Sequence, residues 1–484
     1  MKKSLSHRHA LYLCFISAIL WILSCAVNPV TGKRELMLVS EDQEIALGIK
    51  SDPQIVQTYG AYNDPKIAKY VTDLGKSMAA ISHRSNLDYH FRVLDSPVIN
   101  AFAVPGGFVY ITRGILAYLN NEAELAGVMG HEIGHITARH SAKQISRQQI
   151  AQVGLGVGVV LSQDFAQFAG LAQSSLGLIF LRFGRDAERQ ADQLGVDYST
   201  TVGFDAREMA NFFGTLDRMS AGQERGGLPG WFSTHPDPAE RVQNVRKMAA
   251  EQQAKRPGQT FKINRNGYLR TIDGITFGDD PRQGYTESNM FYHPELKFQF
   301  PVPANWQVVN TPSQVQIVSG DKKAAILFKL AAEKSASAAA QAFVTESKAT
   351  VIDGQAASVH SLPAQRVISD ITNQQGTLRV LSYFIEYGGN VYIFHGFTNK
   401  SGFSGYKANF ERTMRGFNRL TNPQKINVKQ DRIHIRSVKK SGTLRDVLLS
   451  FGVKDKKLEQ HSLLNGMRLT DTVKSRTLIK VVGK

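Results

Sequence analysis

The chain of 484 residues has only two cysteines, Cys14 and Cys25. Cys14 lies inside an apolar N-terminal stretch, so a chain processed at Cys25 has no thiol left for an intramolecular disulfide. Its stability must come from a buried core, for which about 460 residues are ample. Beyond residue 25 no apolar run reaches the roughly twenty residues that a membrane-spanning helix requires. The stretch Gly154 to Leu161 is apolar but short, and Ser162, Gln163 and Asp164 end it. It reads as a buried helical hairpin, or as a lid that leans on a membrane. Acidic residues are scarce too: 41 Asp and Glu face 58 Lys and Arg, for a formal net charge of +17. Such a surface suits anionic lipid headgroups, lipopolysaccharide or peptidoglycan carboxylates. No internal repeat of tetratricopeptide type is evident.

The N-terminus supplies an address. Lys2, Lys3, Arg8 and His9 form a basic start, Leu11 to Leu23 an apolar run, and Ile22-Leu23-Ser24-Cys25 closes it. A small residue before a cysteine at this place looks like a bacterial lipobox. The expectation is a signal peptide over 1–24, cleavage before Cys25, and lipidation of that residue as a membrane anchor. Ala26 follows the cysteine rather than Asp, which favours the outer membrane of a Gram-negative-type envelope. An uncleaved signal anchor and an ordinary secretory signal are the alternatives. Export argues against nucleic acid as a partner.

The most specific segment is His131-Glu132-Ile133-Gly134-His135. A helix advances about 100° per residue, so residues four apart share a face. His131 and His135 can grip one metal ion, with Glu132 beside it to take a proton from bound water. Asn121 suits the N-cap, with Glu124 three residues on as in a capping box. Leu125, Val128, Met129, Ile133 and Ile136 recur at helical spacing and predict a buried face. The alternative is a core helix that happens to hold two histidines, each then needing its own partner.

Two histidines do not hold a catalytic zinc; a third protein ligand is needed, with the fourth position open. Downstream, Glu188 and Asp192 are again four apart. Glu188 suits the third ligand, and Asp192 suits an acceptor that orients a zinc-bound imidazole. Ala191 and Gly195, on or near the same side, predict close packing. The alternative is an exposed acidic stripe. His140, nine residues after His131, falls on the opposite face of a continued helix and reads as structural.

Here the chain resembles the HExxH/ExxxD gluzincin zinc metallopeptidases, the family of the periplasmic β-barrel assembly-enhancing protease and the CAAX prenyl endopeptidases. Three more segments fit it: Asn28 to Ser40, Asn100 to Gly107, and Ser233 to Arg241 with its His235-Pro-Asp-Pro start. The resemblance runs from Cys25 to about residue 255. It implies a mostly helical domain with a small sheet, one Zn2+ per chain on His131, His135 and Glu188, and Glu132 as general base. It places His235 and Arg241 near the metal. His235 either stabilises an oxyanion or closes onto zinc in a resting form, with a helix-capping role as the alternative. Arg241 reads equally as a site residue or a structural ion pair. Asn100, Ala101, Phe102 and Ala103 would form an edge strand that pairs with an extended substrate; the residues alone say strand, then turn at Pro105-Gly106-Gly107.

The predicted organisation is α+β. A signal peptide (1–24) precedes the metallopeptidase domain (25–255). A linker (256–287) follows, then an α+β domain of unknown role (288–420) with a Gly388-Gly389 hairpin. The last segment, 425–484, carries fifteen Lys and Arg against five Asp and Glu. It resembles a LysM-like βααβ module, with Ser441-Gly442-Thr443 where Gly-Asp-Thr is usual, and peptidoglycan is the partner that resemblance implies; a basic docking module is the alternative. Function then reads as an endopeptidase acting on misfolded or unassembled envelope proteins. The rivals are a chaperone-like assembly factor with a latent, His-closed zinc site, and a wall-tethering lipoprotein.

Overall fold

The computed structural model describes residues 25–155, 183–221, 231, 235, 238–373 and 376–484. The predicted signal peptide, and residues 156–161 of the apolar stretch, lie outside the described residues. The fold is mixed helix and sheet. It divides into two compact units: one holds the chain up to 56, 61–278 and 432–483, the other 57–60, 279–431 and 484.

The first unit opens with the hairpin β1 (Cys25–Val27) and β2 (Arg34–Leu36), then α1 (Glu41–Tyr59) and α2 (Pro65–Ala79). The start of α2 shows how sequence sets an element. Asp64 accepts from the Lys66 and Ile67 amides, and Pro65 fills the first helical position, where no amide donor is needed. Ile67, Val71, Leu74 and Met78 then recur at three to four and are all buried.

Three short strands follow: β3 (His90–Leu94), β4 (Ala101–Val104) and β5 (Phe108–Thr112). Their order is β3-β5-β4, with β5 parallel to β3 and antiparallel to β4. Gly106 and Gly107 turn the β4–β5 hairpin at φ of 84° and 96°, where a side chain would be strained. Among the described residues β4 pairs only with β5, so it is an edge strand. Next come α3 (Arg113–Tyr118), α4 (Glu122–Thr137), α5 (His140–Leu155), α6 (Arg185–Thr201), α7 (Arg207–Ala221) and α8 (Pro238–Ala254). Every residue of α4 from Ala123 to Thr137 is buried. The helix thus has no solvent face on which an unpartnered polar group could rest.

Residues 256–287 are not the linker that their composition predicts. They contain α9 (Arg265–Ile272) and β6 (Thr276–Phe277), and Tyr268, Leu269, Ile272 and Ile275 join the core of the first unit. Two turns of helix are too short for a period to stand out.

The second unit is built on a seven-stranded antiparallel sheet. In chain order its strands are β7 (Gln307–Thr311), β8 (Gln314–Val318), β9 (Ala324–Leu330), β10 (Thr350–Val359), β11 (Leu362–Asn373), β12 (Gly376–Tyr387) and β13 (Asn390–Asn399). They lie side by side as β7-β8-β9-β13-β12-β11-β10. The β12–β13 turn is Gly388-Gly389, both at positive φ, as a two-residue hairpin requires. Phe298, Phe300, Phe328, Tyr392, Phe394 and Phe417 fill the core, so the alternating aromatics of this unit are structural.

The chain then returns to the first unit. Strand β14 (Asp431–Ser437) pairs antiparallel with the last strand, β15 (Leu478–Gly483), and lies between it and β6. The helices Leu444–Ser450 and Leu458–Leu464 lie between them in sequence. Residues 432–483 are therefore part of the unit that holds α4, joined by a shared sheet. The join is polar as well. Lys480 is fully buried and donates to the Ala117 and Leu119 carbonyls, each at 2.8 Å. Arg265 links the Asn120 and Leu478 carbonyls, and Arg218 donates to the Met467 carbonyl and the Ser462 hydroxyl. Burial drives the Lys480 ammonium well down and the Glu124 carboxyl, at the start of α4, up to about 8, while the attraction between the two opposes both shifts. Lys480→Met should leave two buried carbonyls without donors and cost about 2–4 kcal/mol. The thermal midpoint of the first unit should fall by about 4–12 °C. A midpoint within 1 °C of wild type, on the order of a few tenths of a kcal/mol, would show that this join is not stabilising.

Candidate metal centre

The site is assembled where α4 crosses α6. Asn121 caps α4, its side chain accepting from the Glu124 amide at 2.8 Å. The Glu124 carboxylate reaches back to the Asn120 amide at 2.6 Å, one residue earlier than in a standard capping box. The two helices touch through small residues. A Cβ placed on Gly195 would lie 3.0 Å from the His131 backbone nitrogen, and one on Gly130 would lie 3.0 Å from the Gly195 Cα. Gly134 faces Ala191 in the same way. The close packing expected from Ala191 and Gly195 is present.

That approach brings four side chains together. His131, His135, Glu188 and His235 offer ligand atoms that all lie within 4.8 Å of one another, and all four residues are buried. His131 Nε2 is 3.0 Å from His135 Nε2 and 3.3 Å from His235 Nδ1. Both Glu188 oxygens are 3.1 Å from His235 Nδ1, and they lie 3.6 Å from the Nε2 atoms of His131 and His135. Donors on a tetrahedron about 2.0–2.1 Å from a zinc ion have edges of about 3.3 Å. The observed separations bracket that value.

Charge makes the same point. Glu132, Glu188 and Asp192 are three buried carboxylates, and Arg241 is the one guanidinium among them. Buried acids outnumber the buried guanidinium here, which favours a cation among them. Burial lowers His131 to about 4 and His135 well below its usual value, so both imidazoles are neutral, as ligands must be. Burial would raise Glu188, but His235, His131 and Arg241 outweigh it and keep it ionised. Burial would likewise lower His235, but the Glu188 and Glu132 carboxylates outweigh it and raise it. The donor set therefore fits the metal that the sequence implies.

The surrounding residues have distinct positions. Asp192 Oδ1 sits 2.9 Å from His131 Nδ1, fixing that ring so that Nε2 faces the other donors. Burial would raise Asp192, yet Arg241 and His131 hold it near 2. Arg241 spends its fork on Asp192 at 2.8 and 2.6 Å, comes within 3.5 Å of Glu188, and lies 4.1 Å over the Phe213 ring. It thus both pairs with an acid and touches the site. Burial drives Glu132 up to about 7, with Glu188 adding to the shift and His235, Arg241 and a backbone hydrogen bond from Ala103 opposing it. Its Oε1 has no hydrogen-bond partner and lies 3.5 Å from the equally unpartnered Nε2 of His235. Ala101, Phe102 and Ala103 form the buried edge strand beside Glu132, while Asn100 precedes it, its carbonyl accepting from Thr112. Cys25 opens β1, away from this cluster in sequence and in element.

His140 departs from its expected place. The helix ends at Thr137, and Arg139 adopts a left-handed turn at φ 55°. His140 therefore begins α5 and swings back, its Nδ1 3.0 Å from His135 Nδ1. A helical wheel carried past residue 137 cannot show this. Trp231 was also not singled out. It stacks on His235 with ring centres 4.4 Å apart, and its position four residues earlier was the available signal.

Three histidines and a carboxylate, with a glutamate oxygen that has no hydrogen-bond partner beside them, form a buried cluster that could hold a metal ion. Residues 65–249 match the model of Peptidase family M48. It is 31% identical over 229 residues to the β-barrel assembly-enhancing protease of Yersinia pestis, covering 46% of this chain and 47% of that one. It is 30% identical over 230 residues to the protein of the same name from Escherichia coli, with the same coverage. It is 28% identical over 239 residues to the mitochondrial metalloendopeptidase OMA1 of Schizosaccharomyces pombe, covering 47% of this chain and 67% of that one. The match to the bacterial relatives spans about half of their length.

The helix contact generates a prediction. Gly195→Val should push α6 off the His131 backbone and weaken zinc binding at least about tenfold. Gly214→Ala, where nothing lies within 4 Å of the added Cβ, is the control and should leave binding unchanged. Equal zinc affinities in chelator competition for both variants would show that the contact does not set the ligand geometry.

Proposed function

We propose that the protein is a zinc-dependent endopeptidase of the bacterial cell envelope that hydrolyses misfolded or unassembled envelope proteins. The observation that carries the reading is the four-donor cluster of His131, His135, Glu188 and His235 with the unpartnered Glu132 oxygen beside it. Zinc bound there would supply Lewis acidity to a scissile carbonyl and make its water acidic enough to lose a proton near neutral pH. His131, His135 and Glu188 hold the ion. Asp192 fixes the His131 ring, and Arg241 holds Asp192. Glu132 accepts the proton and returns it to the leaving amine. An extended peptide would pair along the β4 edge, so affinity would depend on backbone more than on side chains.

The bacterial location and the clients rest on the lipobox-like Cys25 and on the similarity to the bacterial relatives. Among the described residues no helix is long and apolar enough to cross a membrane. In this reading the lipid on Cys25 is the anchor. The basic C-terminal segment would face peptidoglycan or anionic lipid.

One observation favours a latent resting state. His235 occupies the corner of the donor set that a water would need. As a positive control for release, His235→Ala should raise the cleavage rate of an unfolded protein several-fold while zinc stays bound. Glu132→Gln should keep zinc and lower cleavage by about 10²–10⁴. The measurement is zinc content and cleavage by the purified full chain. Zinc with cleavage that survives Glu132→Gln would overturn the assigned mechanism, and a chain that binds no zinc would overturn the reading as a whole.

A further inference from the structure

The two zinc-facing imidazoles are not supported in the same way. His131 has a carboxylate behind it, Asp192 Oδ1 at 2.9 Å from Nδ1. Among the described residues, no carboxylate is hydrogen-bonded to the Nδ1 of His135. Its partner there is His140 Nδ1 at 3.0 Å, and His140 Nε2 in turn lies 3.0 Å from Gln190 Oε1. His140 is buried at 5% exposure, and Phe183 stacks on His135 at 4.3 Å and sits 6.0 Å from His140, so water is kept from the pair.

Hydrogen placement along this chain is forced by valence. A neutral imidazole has one N–H and one lone pair. If His135 Nε2 gives its lone pair to a metal, its hydrogen is on Nδ1 and needs an acceptor. The His140 Nδ1 lone pair is the acceptor in place. The His140 hydrogen is then on Nε2, where the Gln190 carbonyl oxygen accepts it. Each donor meets one acceptor, and no carboxylate is required. In the reverse arrangement His140 donates to His135 Nδ1; His135 then carries its hydrogen on Nε2 and has no lone pair for the ion.

We infer that His140 and Gln190 form a positioning relay that fixes the tautomer and ring plane of His135, so that metal affinity depends on a neutral His–His–Gln chain as well as on the Asp192–His131 pair. The inference rests on the metal-centre reading above. It also accounts for the left-handed turn at Arg139, which delivers His140 to this place. Gln190 comes from the same helix as Glu188, two residues on, so the relay ties the end of α4 to the ligand-bearing turn of α6.

The test is zinc affinity of the full chain by competition with a chromogenic chelator, together with the visible spectrum of the Co2+-loaded protein. His140→Ala removes the acceptor. It should weaken zinc binding about 10–100-fold, the usual effect of losing a group that orients a ligand. His140→Asn keeps an oxygen acceptor near the place of Nδ1 and should recover most of that loss. Gln190→Leu keeps the size and removes the acceptor for His140; it should weaken binding by a smaller factor and shift the Co2+ bands without lowering the metal-free melting temperature. Wild-type zinc affinity in His140→Ala would overturn the relay while leaving the metal centre standing. So would equal losses in His140→Ala and His140→Asn that track the melting temperature, since bulk alone would then explain them. A wild-type chain that binds no zinc would remove the metal reading and the relay with it.

Discussion

Two helices meet here more closely than ordinary side chains permit, and the site depends on that contact. Helix axes usually pack about 8–10 Å apart. At Gly130, Gly134, Ala191 and Gly195 the backbones of α4 and α6 face each other with almost nothing between them. Only then can Glu188 come within 3.6 Å of both His131 and His135. The closeness also excludes water, which is why every charged group in the cluster needs a protein partner or an ion. A longer side chain at any of these positions would separate the donors before it touched them.

The orientation of the helices adds to the effect of proximity. Glu188 lies in the first turn of α6, where the unpaired amides favour a carboxylate. His135 lies in the last turn of α4, where the carbonyls favour a cation. At the other end of α4, Glu122 and Glu124 occupy the first turn, again in the favourable sense. The C-terminal segment reinforces that end. Lys480 satisfies the two carbonyls that lead into α4, and Arg265 reaches a third. Helix α4 is therefore held at its start by Lys480, more than three hundred positions away, and by Arg265, and at its finish by the turn into α5.

Much of this was legible in sequence because it depends on period and on residue chemistry. The helical spacing of His131 with His135 and of Glu188 with Asp192 states which groups share a face. Asn121 and Glu124 mark where the helix begins, and Ala191 with Gly195 mark where a neighbour comes close. Other features depend on where the chain turns. His140 was misplaced because one left-handed residue, Arg139, ends the helix on which its direction had been reckoned. The segment 256–287 passed for a linker because its helix is two turns long. The last sixty residues show the strand–helix–helix–strand order that their pattern predicts, with a hydrophobic cluster of their own; that one of their fifteen cations is fully buried cannot be read from composition.

Trp231 and His235 connect the cluster of metal-ligating side chains to the start of β4. Trp231 stacks on His235, and its amide donates to the Ile99 carbonyl at 3.0 Å, just before β4 begins. The His235 amide in turn donates to the Trp231 carbonyl at 2.8 Å. The same few residues thus touch the fourth donor position and the entrance to the edge strand. On the peptidase reading, a peptide that pairs along β4 must contend for backbone beside Ile99, and a water must contend for the place of His235. Because Trp231 and His235 are stacked and hydrogen-bonded to each other, these are one displacement rather than two. The binding energy of an extended, backbone-exposing client would then do both tasks together, whereas a folded protein, with its strands already paired, would offer little to start the exchange.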